Sequence, residues 1–351
     1  MNSRERVRRA LTFQHPDRAP RELWVLMATD MLRMDEVNAV LERFPPDITY
    51  PTAEGGWNFR QVRHHGPHVF RYGRSERARG TPYQAGGYVD AWGTPWEVGE
   101  VGVTGEVKHP PLADWSALAR YAPPREMLDG ANWDDVNRFC DETEQFVIAA
   151  GVNNPFERMQ WLRGTEQVFT DLAWGSAELL RLRDLVHDFF MREIELWCKT
   201  NVDAIKIQDD WGAQNALLIR PQMWRDVFKP LYADYCRLIR AAGKFVFMHS
   251  DGHISDIYPD LIEVGVDALN SQLFCMDIEE LARKHRGQIT FWGELDRQYV
   301  LPFGTPDDVR RAVRRVRRAM DSGEGGAIAQ MQFGKYDPLA NIVAAYEAWM
   351  E

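Results

Sequence analysis

The sequence predicts an α/β protein, a (β/α)₈ TIM barrel with an inserted β-rich segment in its N-terminal third. Three observations predict it. From residue 145 onward, short apolar runs alternate with long amphipathic segments. The runs are apolar on both faces, as expected of parallel strands covered by helices. Each run also ends in polar residues, the pattern of strands whose C-terminal ends converge on one functional face.

Taken in order, Val7, Ala10 and Leu11 fall at helical spacing, and His15-Pro16-Asp17 ends that first helix. Residues 22–27 form a compact apolar run suited to a buried strand. Helical sequence continues to about residue 43, before Asp47-Ile48-Thr49-Tyr50 offers a second strand. Between about residues 55 and 111 the texture changes to Gly, Trp and short alternating runs without helical period, which predicts a β-meander inserted into one domain spanning 1–351. Six further strands are predicted at 146–152, 203–208, 244–249, 267–270, 288–293 and 327–332. Helices are predicted at 177–200, 221–242, 254–264, 278–285, 306–322 and 339–350. With the two N-terminal strands the count reaches about eight, which favours closure over an open sheet.

Composition narrows the function. The chain has 351 residues, 45% hydrophobic, and a formal net charge of -10, which argues against nucleic acid as a partner and leaves small molecules or proteins. The N-terminus is charged and no 18-residue apolar run occurs, so a cytoplasmic protein without membrane contact is expected. Cys140, Cys198, Cys236 and Cys275 form no CxxC or CxC pair, so any metal needs His, carboxylate or amide ligands. No Gly-rich phosphate loop is present.

The polar strand ends carry the chemistry. They are Asn153-Asn154 with Glu157, Gln208-Asp209-Asp210, His249-Ser250-Asp251, Asn270 with Gln272, Glu294 with Asp296, and Gln330 with Gln332. A polar residue after one strand is often only a helix cap, but six such ends together point to a site. His249 and Asp251 make a divalent-metal pair or, without metal, an acid/base pair. Of the adjacent Asp209 and Asp210, one is expected to face the pocket and the other to cap the next loop. Trp211 and Trp292 are candidate pocket walls. His64, His65 and His68 lie close together but lack a supporting carboxylate. The arginines from Arg310 to Arg318 follow acidic residues on one helix, the order the macrodipole prefers on a solvated face.

These residues bring out a resemblance. Ser3-Arg4-Glu5-Arg6-Val7, Pro16-Asp17-Arg18, Asn154-Pro155-Phe156, Arg163-Gly164, residues 206–212 (KIQDDWG), Ala242-Gly243-Lys244, His249-Ser250-Asp251-Gly252, Gly293-Glu294-Leu295-Asp296 and Gly304-Thr305-Pro306 span nearly the whole chain. In them the sequence resembles the uroporphyrinogen decarboxylase superfamily, which also includes corrinoid-linked methyltransferases. The haem-pathway decarboxylases carry an arginine-rich Arg-Gln-Ala-Gly-Arg segment at the first strand, whereas this chain reads Trp24-Val25-Leu26-Met27-Ala28-Thr29-Asp30. Without those guanidiniums a polyanionic porphyrinogen is poorly neutralised. The methyltransferase branch binds zinc through a His-x-Cys pair and a later Cys. Here His249 matches, Asp251 stands at the Cys position, and Gln330-Met331-Gln332 brings no Cys.

The resemblance implies a metal-assisted methyltransferase moving a methyl group between a small substrate and a corrinoid protein or other acceptor. The expected metal, zinc by likeness, has His249, Asp251, Glu157 and Gln330 as candidate ligands. Asp209, Asp210, His249, Glu294 and Asp47 are the candidate catalytic groups, and Asn153, Gln208, Trp211, Asn270, Gln272 and Gln332 the candidate substrate contacts. A metal-free decarboxylase of a small carboxylated or tetrapyrrole-like substrate and a non-catalytic ligand-binding barrel are the alternatives. Superfamily members are often homodimers, the state the resemblance implies here.

Overall fold

The computed structural model describes residues 1–51, 69–150 and 153–351. His64, His65, His68 and the start of the predicted meander lie outside the described residues.

The sheet is parallel and curled. Strands β1 (Arg21–Val25), β6 (Ala204–Gln208), β7 (Phe245–Ser250), β8 (Ala268–Ser271), β9 (Thr290–Trp292) and β10 (Ala327–Phe333) are ordered β1-β10-β9-β8-β7-β6. The short strands β2 (Ile48–Thr49) and β5 (Phe146–Val147) pair in parallel with each other. The Asp47 N–H donates to the Arg21 carbonyl at 2.8 Å, joining β2 to β1. Parallel bridges Ile148 to Ala204 and Asn153 to Ile207 join β5 to β6.

Alternation along these strands divides the core in two. Trp24, Ile48, Tyr50, Phe146, Ile148, Ala204, Phe247, Ala268, Trp292 and Ile328 point inward and pack together. Their neighbours, such as Ile205, Ile207, Val246 and Met248, point outward against the helices. Val7 and Leu11 of α1 (Ser3–Leu11) close the inner cluster. That helix is capped by the Asn2 side chain, and its buried Arg6 reaches Asp17 and Asp47.

The short helices α2 (Met27–Leu32), α3 (Met34–Arg43), α4 (Arg125–Asp129), α5 (Trp133–Glu142) and α13 (Val300–Phe303) line the connections, while α8 (Ala177–Cys198), α12 (Ile278–His285), α14 (Pro306–Met320) and α15 (Leu339–Met350) occupy their predicted places. The predicted helix over 221–242 is two helices, α9 (Pro221–Val227) and α10 (Lys229–Ala241), because Pro230 lacks the N–H needed to continue the first. Likewise only Tyr258–Val264 of 254–264 is α-helical, as α11, with Pro259 in its first turn. Helices α6 (Pro155–Arg163) and α7 (Thr165–Trp174) escape the sequence reading. In α6, Trp161 falls on the side opposite Phe156, so no single apolar stripe marks it.

Within the expected β-rich segment, β3 (Gly86–Val89) and β4 (Pro95–Val98) form an antiparallel hairpin. Asp90 organises its turn, accepting from the Thr94 N–H at 2.8 Å and from the Trp96 indole at 3.3 Å. Arg158 of α6 docks the hairpin, donating to Asp90 at 2.8 Å and lying over the rings of Trp92 and Trp161. The four cysteines are free thiols. Among the described residues, no helix is long and apolar enough to cross a membrane.

Candidate active site

The C-terminal ends of β6 and β7 are held together backbone to backbone. Gly252 has φ +78°, and a Cβ there would meet the Gly212 carbonyl oxygen at 2.1 Å. The Gly212 N–H donates to the Asp251 carbonyl at 3.0 Å, and the Asp251 N–H to Asp210 Oδ1 at 3.0 Å. This contact sets the side chains of Asp210 and Asp251 on either side of His249.

His249 is 5% exposed. Its Nδ1 lies 2.6 Å from Asn270 Oδ1. Asn270 Nδ2 in turn donates to the Trp292 carbonyl at 2.5 Å and to Gln330 Oε1 at 3.0 Å. A backbone carbonyl can only accept, so the amide orientation is fixed and Nδ1 of His249 must carry a hydrogen. Nε2 is thereby turned to the pocket, 3.5 Å from Asp210 Oδ1 and 3.5 Å from Asp251 Oδ1. Ligand atoms of Asp210, His249 and Asp251 all lie within 4.8 Å of one another.

Charge explains how these groups share protons. Burial opposes the imidazolium of His249, but the hydrogen bond of Asp210 and the charges of Asp251 and Asp210 outweigh it and raise the ring to about 9. Burial also opposes ionisation of Asp210, yet His249, the Asp251 N–H and Arg297 hold its carboxyl below the usual range. Arg297 donates to Asp251 Oδ2, leaving Oδ1 buried without a hydrogen-bond partner. Glu157 is raised to about 8 by burial and by the charge of Asp210. Glu294 is raised to about 7, mainly by burial, and its nearest cation is Arg297 at 3.6 Å.

A cavity of about 720 Å³ opens at the strand ends, and its lining includes Asn154, Glu157, Arg158, Gln208, Asp210, His249, Asp251, Arg297 and Gln332. The walls are aromatic, from Trp24, Tyr83, Tyr88, Trp96 and Trp161. The structure thus brings Gln208, Asp210, His249, Asp251, Glu157 and Gln332 together, as the sequence predicts.

Other expected residues are placed elsewhere. Asp209 is fully buried and accepts from the Phe156 and Glu157 N–H groups and the Tyr232 hydroxyl, so it caps α6 and does not reach the cavity. Asp47 sits at the opposite, N-terminal end of β2, bound by Ser3, Arg6, Arg18 and the Arg21 N–H. Trp211 is fully buried, stacked on Phe156 at 4.1 Å, and is core rather than wall. Asn153 donates to the Lys206 carbonyl and joins strands. Asn270 and Gln330 orient His249, and Gln330, whose Oε1 accepts from Asn270, does not line the cavity that Nε2 faces. Gln272 accepts from the Gly252 N–H and, with Glu294, borders a smaller cavity of about 40 Å³.

Sequence reasoning missed Arg158, Arg297, Lys206 and most of the aromatic wall. Lys206 alone left a local signal, a charged residue at an inward position of an otherwise apolar strand.

Comparison with known proteins now adds a family. The profile described as uroporphyrinogen decarboxylase (URO-D) matches residues 87–334. The chain belongs to the uroporphyrinogen decarboxylase family. A curated relative, the uroporphyrinogen decarboxylase of Xylella fastidiosa, is 26% identical over 165 residues, covering 44% of this chain. That match spans 43% of the relative's own length, so this URO-D family member shares less than half of it in detectable sequence. Among solved structures, a methyltransferase from Methanosarcina mazei superposes with a TM-score of 0.70 at 13% identity, covering 100% of this chain and 98% of that one, which is a likeness of fold.

Proposed function

We propose that this URO-D family member is an enzyme, a metal-assisted methyltransferase that moves a methyl group between a small substrate and a corrinoid protein or another acceptor. Its curled sheet is read as a closed (β/α)₈ barrel in a single domain with a β-rich insertion at about 55–111, whose described part supplies Tyr83, Tyr88 and Trp96 to the cavity at the strand ends. The observation that carries the proposal is the Asp210, His249 and Asp251 cluster facing the aromatic cavity. The fold likeness to a methyltransferase supports it.

The residues fit a divalent ion. One imidazole nitrogen and two carboxylates converge, and Asp251 Oδ1 is buried with no hydrogen-bond partner to occupy it. Asp210, His249 and Asp251 would hold the ion, and Gln330 leaves the expected ligand set. A bound zinc or similar ion would act as a Lewis acid on an acceptor or leaving group. Asn270 fixes the imidazole tautomer, so Nε2 is the nitrogen that would meet the ion. Arg297 orients Asp251. Glu157, holding its proton up to about 8, is placed to donate it to a leaving oxygen in the cavity. Any corrinoid would arrive on its own protein.

One observation favours a second reading, metal-free decarboxylation. With His249 protonated, the imidazolium and Arg297 balance Asp210 and Asp251 without an ion, and His249 would supply the proton that replaces carbon dioxide. Elemental analysis of the purified protein beside His249→Ala separates the two. Near-stoichiometric divalent metal that is lost in the variant supports methyl transfer. Its absence from wild-type protein given excess zinc would refute that reading and leave decarboxylation.

A further inference from the structure

Lys206 is a buried cation that the proposed chemistry does not use. It occupies an inward position of β6, paired with Phe247, one inward layer below the Gln208 and His249 pair. It is 7% exposed, and it borders the cavity. Its Nζ lies 5.4 Å from the centre of the Trp24 ring and 5.9 Å from that of Tyr50. Among the described residues no oxygen accepts a hydrogen bond from it and no carboxylate lies at ion-pair distance.

Glu22 is the nearest candidate to satisfy it and does not. One oxygen of Glu22 accepts from the Tyr50 hydroxyl at 2.5 Å and the other from the Trp292 indole. The other cations of the cavity are committed, Arg158 to Asp90 and Arg297 to Asp251. An ammonium has three N–H donors, and no oxygen of the described residues matches them, so their acceptors come from what the cavity holds. Burial pushes the Lys206 ammonium down to about 8 against the pull of Glu22, the direction expected of a cation lacking a close partner.

We infer that Lys206 anchors the carboxylate of an aromatic carboxylate substrate at the floor of the cavity, with the ring held between the tryptophan and tyrosine walls and the reacting end directed toward His249. A single ammonium flanked by rings matches a monoanion on a planar apolar body. A phosphate, with more charge and more acceptors, would call for the arginine forks that are already engaged. The inference rests on the proposed use of this cavity as the substrate site.

Isothermal titration of the full chain with benzoate, and with benzamide as its neutral isostere, tests it. Wild-type protein is expected to bind benzoate saturably and more tightly than benzamide. In Lys206→Met, benzoate affinity should fall at least tenfold while benzamide changes less than threefold. Because that variant leaves Glu22 without a counter-charge, the doubly substituted Glu22→Gln/Lys206→Met protein, which restores the balance, should show the same loss. Benzoate bound no tighter than benzamide by the wild type, or undiminished in either variant, would overturn the assignment. So would displacement of benzoate by an equal concentration of inorganic phosphate. A protein that takes up no metal yet binds benzoate through Lys206 would refute methyl transfer and leave this inference standing.

Discussion

Asp209 gives the sharpest test of whether position or residue type decides a role. It stands in the Gln208-Asp209-Asp210 strand end and has the chemistry of a catalytic carboxylate, but it is fully buried beneath the cavity. Asp209→Ala would strip the acceptor from three buried donors, the N–H groups of Phe156 at 3.0 Å and Glu157 at 2.9 Å and the Tyr232 hydroxyl at 2.6 Å. At about 1–2 kcal/mol for each donor left unmatched, the loss is about 3–6 kcal/mol. Unfolding entropy of about 2.1 cal/mol/K per residue comes to about 0.7 kcal/mol/K for a chain of 351 residues, so the melting midpoint should drop by about 4–8 °C. Differential scanning calorimetry measures that drop, and metal content measures the site. The reasoning is refuted if the variant melts within about 1 °C of wild type yet loses its metal or its turnover, because Asp209 would then be a working group and not a cap.

Three further outcomes follow from the same geometry. Removing the Asn270 amide frees His249 to rotate, so Asn270→Ala should bind zinc about 10–100-fold more weakly while keeping its near-ultraviolet circular dichroism, and unchanged zinc affinity would show that the tautomer lock is idle. Buried Glu193, bonded by the Tyr72 hydroxyl, has its carboxyl raised by burial from an ordinary 4.5 to about 7. The folded state therefore binds its proton more tightly than the unfolded chain does. The stability this gives is fully present below about 4.5 and is lost as pH rises through about 7, by about 3 kcal/mol. Glu193→Gln does not titrate, so urea midpoints should move in favour of the variant between pH 4.5 and pH 8, and a difference independent of pH would sink the assignment. At the cavity wall, Trp161→Ala should weaken benzamide binding several-fold without changing metal content, and equal affinity would place the ring elsewhere.

Much of the strand and helix pattern was legible in the sequence because burial on both faces writes a continuous apolar run, as in residues 245–248, and a following helix writes its own period. Where packing replaced periodicity, legibility failed. Helix α6 shows this, with Phe156 facing the core and Trp161 facing the cavity. The breaks at Pro230 and Pro259 were written in the chain, but the long amphipathic pattern around them masked their effect.

The candidate site divides in the same way. Strand alternation and the clustering of polar residues at strand ends are local properties, so the sequence by itself determined that His249, Asp251 and one of two adjacent aspartates belong to one face. Which aspartate depends on contacts between segments far apart in the chain. The start of α6 claims Asp209, the contact of Gly212 with Gly252 leaves Asp210 to His249, and the guanidiniums of Arg6 and Arg18 hold Asp47 at the far end of the sheet. Lys206 reads from the sequence as an anomaly in an apolar strand. Only the tertiary structure, by setting Glu22, Tyr50 and Trp24 around it and giving its charge no close partner, decides that the anomaly borders a cavity. The physical reason is that burial and pattern are encoded one segment at a time, whereas hydrogen-bond partners and charge balance are settled between segments.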